Sequence, residues 1–186
     1  EESANALLKV MEEPPEGVLF LLTADSLAGV LPTIRSRCVS FAIAPVSPAD
    51  CARYCTAHGV DKKTAALYSE LFDGHIGTVL TAARDKARTE QVDKAMELAR
   101  AAQAGDSYTA AVLLAPYEKD KAGAAALLRD LRAVAAAGLQ GSPHAPVQGQ
   151  QAQRTLRLAE AAIQRLGAQV NPKIVLTVFA ARLAHA

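Results

Sequence analysis

Residues 47–86 read SPADCARYCTAHGVDKKTAALYSELFDGHIGTVLTAARDK, and this stretch decides the fold. Ser47-Pro48-Ala49-Asp50 is a helix start: an N-cap serine, proline at the first helical position, and an acid in the first turn. Helices are predicted over Pro48–Ala57, Lys62–Phe72 and Ile76–Lys86, divided by His58-Gly59 and Asp73-Gly74, where glycine allows a turn. Three short helices with short connections make one small unit.

Downstream, an alanine-rich region predicts five further helices near Thr89–Ala104, Ser107–Tyr117, Lys121–Leu139, Gln151–Gly167 and Pro172–Ala184. Asn171-Pro172 repeats the cap-plus-proline start. Gly141–Gly149, rich in Gly, Pro, Ser and Gln, reads as the one flexible loop. Upstream, Ala4, Leu7, Leu8 and Met11 follow the helical rhythm, and Pro14-Pro15 must stop it, because neither has an N–H. Val18–Thr23 is a continuous apolar run, expected to be a strand buried on both faces, and Val39–Ile43 is a second candidate strand. Two strands make no stable open sheet, and the chain opens on Glu-Glu-Ser without Met, so the start is expected to be the remnant of a larger α/β domain.

Bulk properties narrow the function. In 186 residues, 51% are hydrophobic but only 4% aromatic, favouring close-packed helices over a β-sandwich. Twenty basic against 19 acidic residues give a formal net charge of +1. The basic residues are scattered, with Lys62–Lys63 and Arg35/Arg37 the densest pairs, so strong nucleic-acid binding by this chain alone is not expected. Three cysteines make no disulfide framework, no secretory segment opens the sequence and no apolar run reaches membrane-spanning length; a cytoplasmic protein is expected.

Ser3-Ala4-Asn5-Ala6-Leu7-Leu8-Lys9 with Glu12-Glu13-Pro14-Pro15, then Phe20-Leu21-Leu22-Thr23, then Leu31-Pro32-Thr33-Ile34-Arg35-Ser36-Arg37-Cys38 resemble, in order, three elements of the bacterial clamp-loader AAA+ family. These are the helix after the Walker B strand, the sensor-1 strand and the Ser-Arg-Cys motif. The resemblance runs almost without a gap from Ser3 to Phe41, and beyond it is architectural.

It implies three regions: residues 1–45 as the end of an AAA+ core, 46–88 as a three-helix lid, and 89–186 as a helical collar for oligomerisation. It further implies a subunit of the DNA polymerase III holoenzyme, a DNA-directed DNA polymerase (nucleotidyltransferase), working in DNA replication. The implied partners are other loader subunits (gamma/tau, delta), met through the collar and the Arg37 face. The sliding clamp and primed DNA would be met only through the assembled complex.

Arg37 is the residue on which the resemblance places an arginine finger acting in trans. Such a step spreads negative charge over phosphate oxygens, and a planar, permanent cation stabilises it well. Spacing alone favours a pair of solvated surface arginines, and it is the resemblance that reverses this. Placement just before the strand Val39–Ile43 would fix Arg37, with Arg35 pointing elsewhere.

No G-x-x-x-x-G-K-[ST] loop occurs, and Gly77 stands where ATP-hydrolysing family members carry the sensor-2 arginine. The loop could have been lost with the expected upstream part, so it is Gly77 that points to a subunit without hydrolysis of its own. Gly77 could equally serve close helix packing. An ATP-hydrolysing member, or a helical adaptor outside replication, are the alternatives.

Cofactor and metal sites are not expected in this chain. Cys51, Cys55 and His58 fall at i, i+4, i+7 on one helix, and a packed core suits them better than a three-ligand metal site; the family's zinc module would lie upstream. Cys38 beside Arg37 has no His or acid placed to make it a nucleophile. His75, His144 and His185 stand apart from partners, and no catalytic triad is visible. Tyr54, Tyr68, Phe72, Tyr108, Tyr117 and Phe179 are expected to fill cores. The alanines of 122–137 and 159–162 could pack against other subunits or only within their own bundle.

Overall fold

Capping residues and prolines set most of the helix starts. The computed structural model describes residues 10–11, 14–24, 26–44 and 46–184; the helix expected around residues 4–11 lies almost wholly outside them. The chain divides into two units, Glu1–Ala44 and Pro45–Ala186. Nine α-helices are described: α1 (Pro32–Arg35), α2 (Pro48–Ala57), α3 (Lys62–Leu71), α4 (Ile76–Arg84), α5 (Lys86–Ala104), α6 (Ser107–Leu114), α7 (Lys121–Leu139), α8 (Gly149–Gly167) and α9 (Pro172–Ala184). The mainly helical fold is as expected.

In the first unit the expected strands do not form. Residues 18–24 and 39–44 belong to no ladder, and no strand occurs among the described residues. Leu19, Leu21, Val39, Phe41 and Ile43 are each more than four-fifths exposed, and no described residue before Pro45 is buried. The apolar pattern demands a sheet on both sides, and among the described residues these segments have no backbone neighbours to supply one.

The second unit is well packed. Ser47 Oγ accepts from Asp50 N, Asp61 caps Lys63 and Thr64, Asp85 caps Ala87 and Arg88, Asp106 caps Thr109, and Asp120 caps Gly123. Asp85 both ends α4 and starts α5, so α5 begins at Lys86 and not Thr89. α6 ends at Leu114 and tightens into a 3-10 turn over Ala115–Tyr117, where Pro116 removes a donor. Leu98, Leu114, Leu127, Leu128, Leu131 and Leu166 form the heart of the core.

Ala124, Ala135, Ala137, Ala159 and Ala162 are buried inside this unit, so packing within the bundle accounts for much of the alanine pattern. Of the six aromatics expected inside, Tyr68 and Phe179 are buried and Phe72 and Tyr117 half-buried, but Tyr54 and Tyr108 are exposed. Tyr54 stacks instead on His58, ring centroids 3.9 Å apart.

Two polar contacts tie distant parts of the unit together. Asp130 on α7, almost fully buried, takes a bidentate grip from Arg88 on α5, Nη2 to Oδ1 at 2.5 Å, and a third bond from Gln91 Nε2 at 2.8 Å. The Asp130 bond holds the Arg88 guanidinium more firmly protonated than usual, and its carbon lies 5.7 Å from the Phe72 ring centroid. The second contact joins Ser142 to Glu70 on α3.

That second contact corrects the reading of Gly141–Gly149 as a flexible loop. Val147 is fully buried, Ala145 nearly so, and Gln148 Nε2 donates to Ser142 O and Ala145 O at 2.8 and 2.9 Å. Glycine is required opposite: a Cβ at Gly138 would stand 1.9 Å from Val147 O. Composition reads this segment as a linker, whereas buried Val147 and Ala145 pin it.

Candidate functional site

Leu31-Pro32-Thr33-Ile34-Arg35-Ser36-Arg37-Cys38 folds as one helical turn and its exit. Pro32 sits at the first helical position with its φ already suited to the turn. Ser36 N–H donates to Pro32 O at 3.0 Å, and Arg37 N–H to Ile34 O at 3.1 Å, closing the turn around the motif. The carbonyl of Thr33, left over at the helix end, collects the side chains: Arg37 Nη1 donates to it at 2.8 Å and Ser36 Oγ at 3.1 Å. Arg37 Nη1 also lies 3.3 Å from Ser36 Oγ.

The serine of Ser-Arg-Cys therefore has a local task, since it and the arginine share one acceptor. Arg37 is not fixed by a following strand, as expected from sequence, because none forms; the turn of α1 orients it. Its guanidinium is exposed, as is Arg35, while Cys38 is half-buried. The arrangement holds a permanent cation at the surface with Nη1 anchored on the Thr33 carbonyl, and such a cation suits an anionic group.

In α2, Cys51 and Cys55 point inward and are wholly buried, and burial followed by the neighbouring Cys51 pushes the Cys55 thiol up. His58 does not join them: it is exposed, its Nδ1 2.8 Å from Tyr54 O. No cluster of three or more His, Cys, Asp or Glu able to hold a metal occurs among the described residues.

Gly77 lies in the first turn of α4, exposed, and a Cβ there would meet nothing within 4 Å. The alternative that glycine serves close helix packing is thus removed. His75, the cap residue of α4, and His144 are exposed, and His185 lies outside the described residues.

Residues 1–47 match the family profile described as DNA polymerase III, delta subunit. The segment that resembled the clamp-loader family is therefore the segment that matches. The DNA polymerase III subunit delta' of Yersinia pestis is 46% identical over 52 residues, 28% of this chain and 15% of its own length. The delta' subunit of Haemophilus influenzae is 60% identical over 38 residues, 20% of this chain and 12% of its own. The DNA polymerase III subunit gamma/tau of Mycobacterium tuberculosis is 43% identical over 60 residues, 30% and 10% respectively. The chain thus spans less than a sixth of the length of each of these relatives in the matched region. No solved structure matches. Among the described residues no helix is long and apolar enough to cross a membrane.

Sequence reasoning overlooked Asp130, whose partner Arg88 is 42 positions away. A lone acid in an alanine- and leucine-rich helix, on its apolar face, was the available signal.

Proposed function

We propose that this chain is part of a delta prime-type subunit of the DNA polymerase III clamp loader, a ring member that does not hydrolyse ATP itself. In this reading Arg37 reaches the ATP of an adjacent gamma/tau-type subunit and steadies the charge that develops as the γ-phosphoryl leaves. The α5–α9 region serves as the collar that holds ring members together, and α2–α4 as the lid. The clamp and primed DNA are met by the assembled ring.

The observation that carries this reading is the Ser36-Arg37-Cys38 turn, with an anchored, exposed guanidinium inside the segment that matches the family. Gly77 adds support, because nothing in the packing forbids a side chain there. With Gly77 in place of an arginine, α4 has no cation at that position to offer a nucleotide of its own.

The test is ATP hydrolysis by a loader reconstituted with the full-length parent carrying Arg37→Ala. Loss of the finger charge should lower the rate of that one ATP site by about a thousandfold or more. A rate unchanged within twofold would refute the finger.

A second reading, a gamma/tau-type ATPase, has its own support in the 43% identity to the Mycobacterium tuberculosis gamma/tau subunit. Hydrolysis of ATP by the purified full-length parent alone would favour it over the first.

A further inference from the structure

The near-zero net charge conceals a segregation. From Lys121 onward, 66 residues hold eight of the 20 basic side chains and only two of the 19 acids. One of those two, Asp130, is buried and already bound by Arg88. Everything before Lys121 is net acidic, which is why the total appears balanced. The folded unit then gathers part of this excess.

Arg154 and Arg165 stand eleven positions apart on α8, close to three full turns, so they line up along one side about 16 Å apart, with Arg157 within a quarter turn between them. Arg154 Nη2 donates to Arg182 O at 2.7 Å, bringing the last turn of α9 alongside. Arg157, Arg165 and Arg182 are exposed, and none has a carboxylate partner among the described residues. Glu160, the one acid on α8, is turned more than 100° round the helix from Arg154 and Arg165 and lies about 60° from Arg157, with which it forms no ion pair.

We infer that the α8–α9 seam is a docking strip for the sugar-phosphate backbone of double-stranded nucleic acid, formed by Arg154, Arg157, Arg165 and Arg182. Three observations favour this over an acidic protein. All four cations are arginines, whose planar fork suits phosphate oxygens. Their array is linear, and about 16 Å corresponds to roughly five base steps of a strand. No large hydrophobic side chain of α8 is exposed, and on α9 Ile174 alone is, about two turns from Arg182, so the strip is poor in the apolar anchors on which protein interfaces depend. With no exposed aromatic on α8 to stack unpaired bases, it would read the duplex backbone and not sequence. The inference is independent of the arginine-finger reading, since it concerns different residues, all in the second unit.

The test uses the whole chain and a fluorescein-labelled 20-base-pair duplex of mixed sequence, with anisotropy followed from 50 to 200 mM salt. Four neutralised phosphates should give a slope of log K against log salt near −3.5, or roughly a hundredfold loss over that range. Arg157→Gln/Arg165→Gln/Arg182→Gln should bring the slope to about −1 while leaving thermal unfolding in place; Arg182→Gln keeps the carbonyl that Arg154 uses. Should the triple variant fail to fold, Arg157→Glu alone should still weaken binding at least threefold. Absence of duplex binding at 50 mM salt, or equal binding by the variants, would overturn the inference. So would competition by polyglutamate as effective as that by unlabelled duplex of the same total charge.

Discussion

The two units of this chain are opposites. Glu1–Ala44 carries the motifs that resemble and match a known family, yet none of its described residues is buried. Pro45–Ala186 has a dense leucine and alanine core, capped helices and buried polar ties, but lies almost wholly beyond the family match. The difference teaches that a motif and a core are legible for different reasons. A motif is fixed by chemistry at a few positions and survives in the sequence whatever packs around it. A helix bundle is fixed by periodicity and caps, which many unrelated sequences can satisfy.

Four substitutions would break or sharpen that contrast, each read by urea unfolding of the chain. Asp130→Ala should have the largest effect, about 3–5 kcal/mol of destabilisation, because it strands the Arg88 guanidinium beneath α7. Gly138→Ala comes next, at about 1–3 kcal/mol, since its Cβ meets the backbone carbonyl of Val147 and not a movable side chain. Thr155→Val should run the other way by up to about 1 kcal/mol: Thr155 Oγ1 is buried without a hydrogen-bond partner, and an isosteric methyl removes that cost. Phe41→Ser should be smallest, within about 0.5 kcal/mol, for Phe41 is 83% exposed. A Phe41→Ser effect as large as that of Gly138→Ala would erase the contrast between the units.

Much of the second unit was readable. Ser47-Pro48 and Asn171-Pro172 announce helices that begin at the expected residues, and α7 spans Lys121–Leu139 as read. The start of α5 was readable too, in Asp85 followed by helix formers, but a proposed break hid it. What could not be read depends on distance in sequence. Val147 burial, the Arg88–Asp130 grip and the lining-up of Arg154 beside Arg182 each join residues that no local period links.

In the first unit the failure was of another kind. The apolar runs at 18–23 and 39–43 have strand-like composition, but a strand exists only when another backbone accepts its hydrogen bonds. The candidate site fared better at its centre than at its edges. Arg37 was singled out from its motif, whereas its support is the Thr33 carbonyl and not a following strand. His58, placed with Cys51 and Cys55 by helical spacing, sits after the last turn of α2, where the backbone leaves the helix and the ring turns to Tyr54.

The most direct measurement puts Arg37→Ala, in the full-length parent, through thermal unfolding, ring assembly by sedimentation and ATP hydrolysis on one preparation. An exposed guanidinium that contributes little to packing but acts on a neighbour's nucleotide should leave melting and assembly unchanged and cut hydrolysis at least tenfold. Hydrolysis at the unsubstituted rate in a fully assembled ring would contradict it.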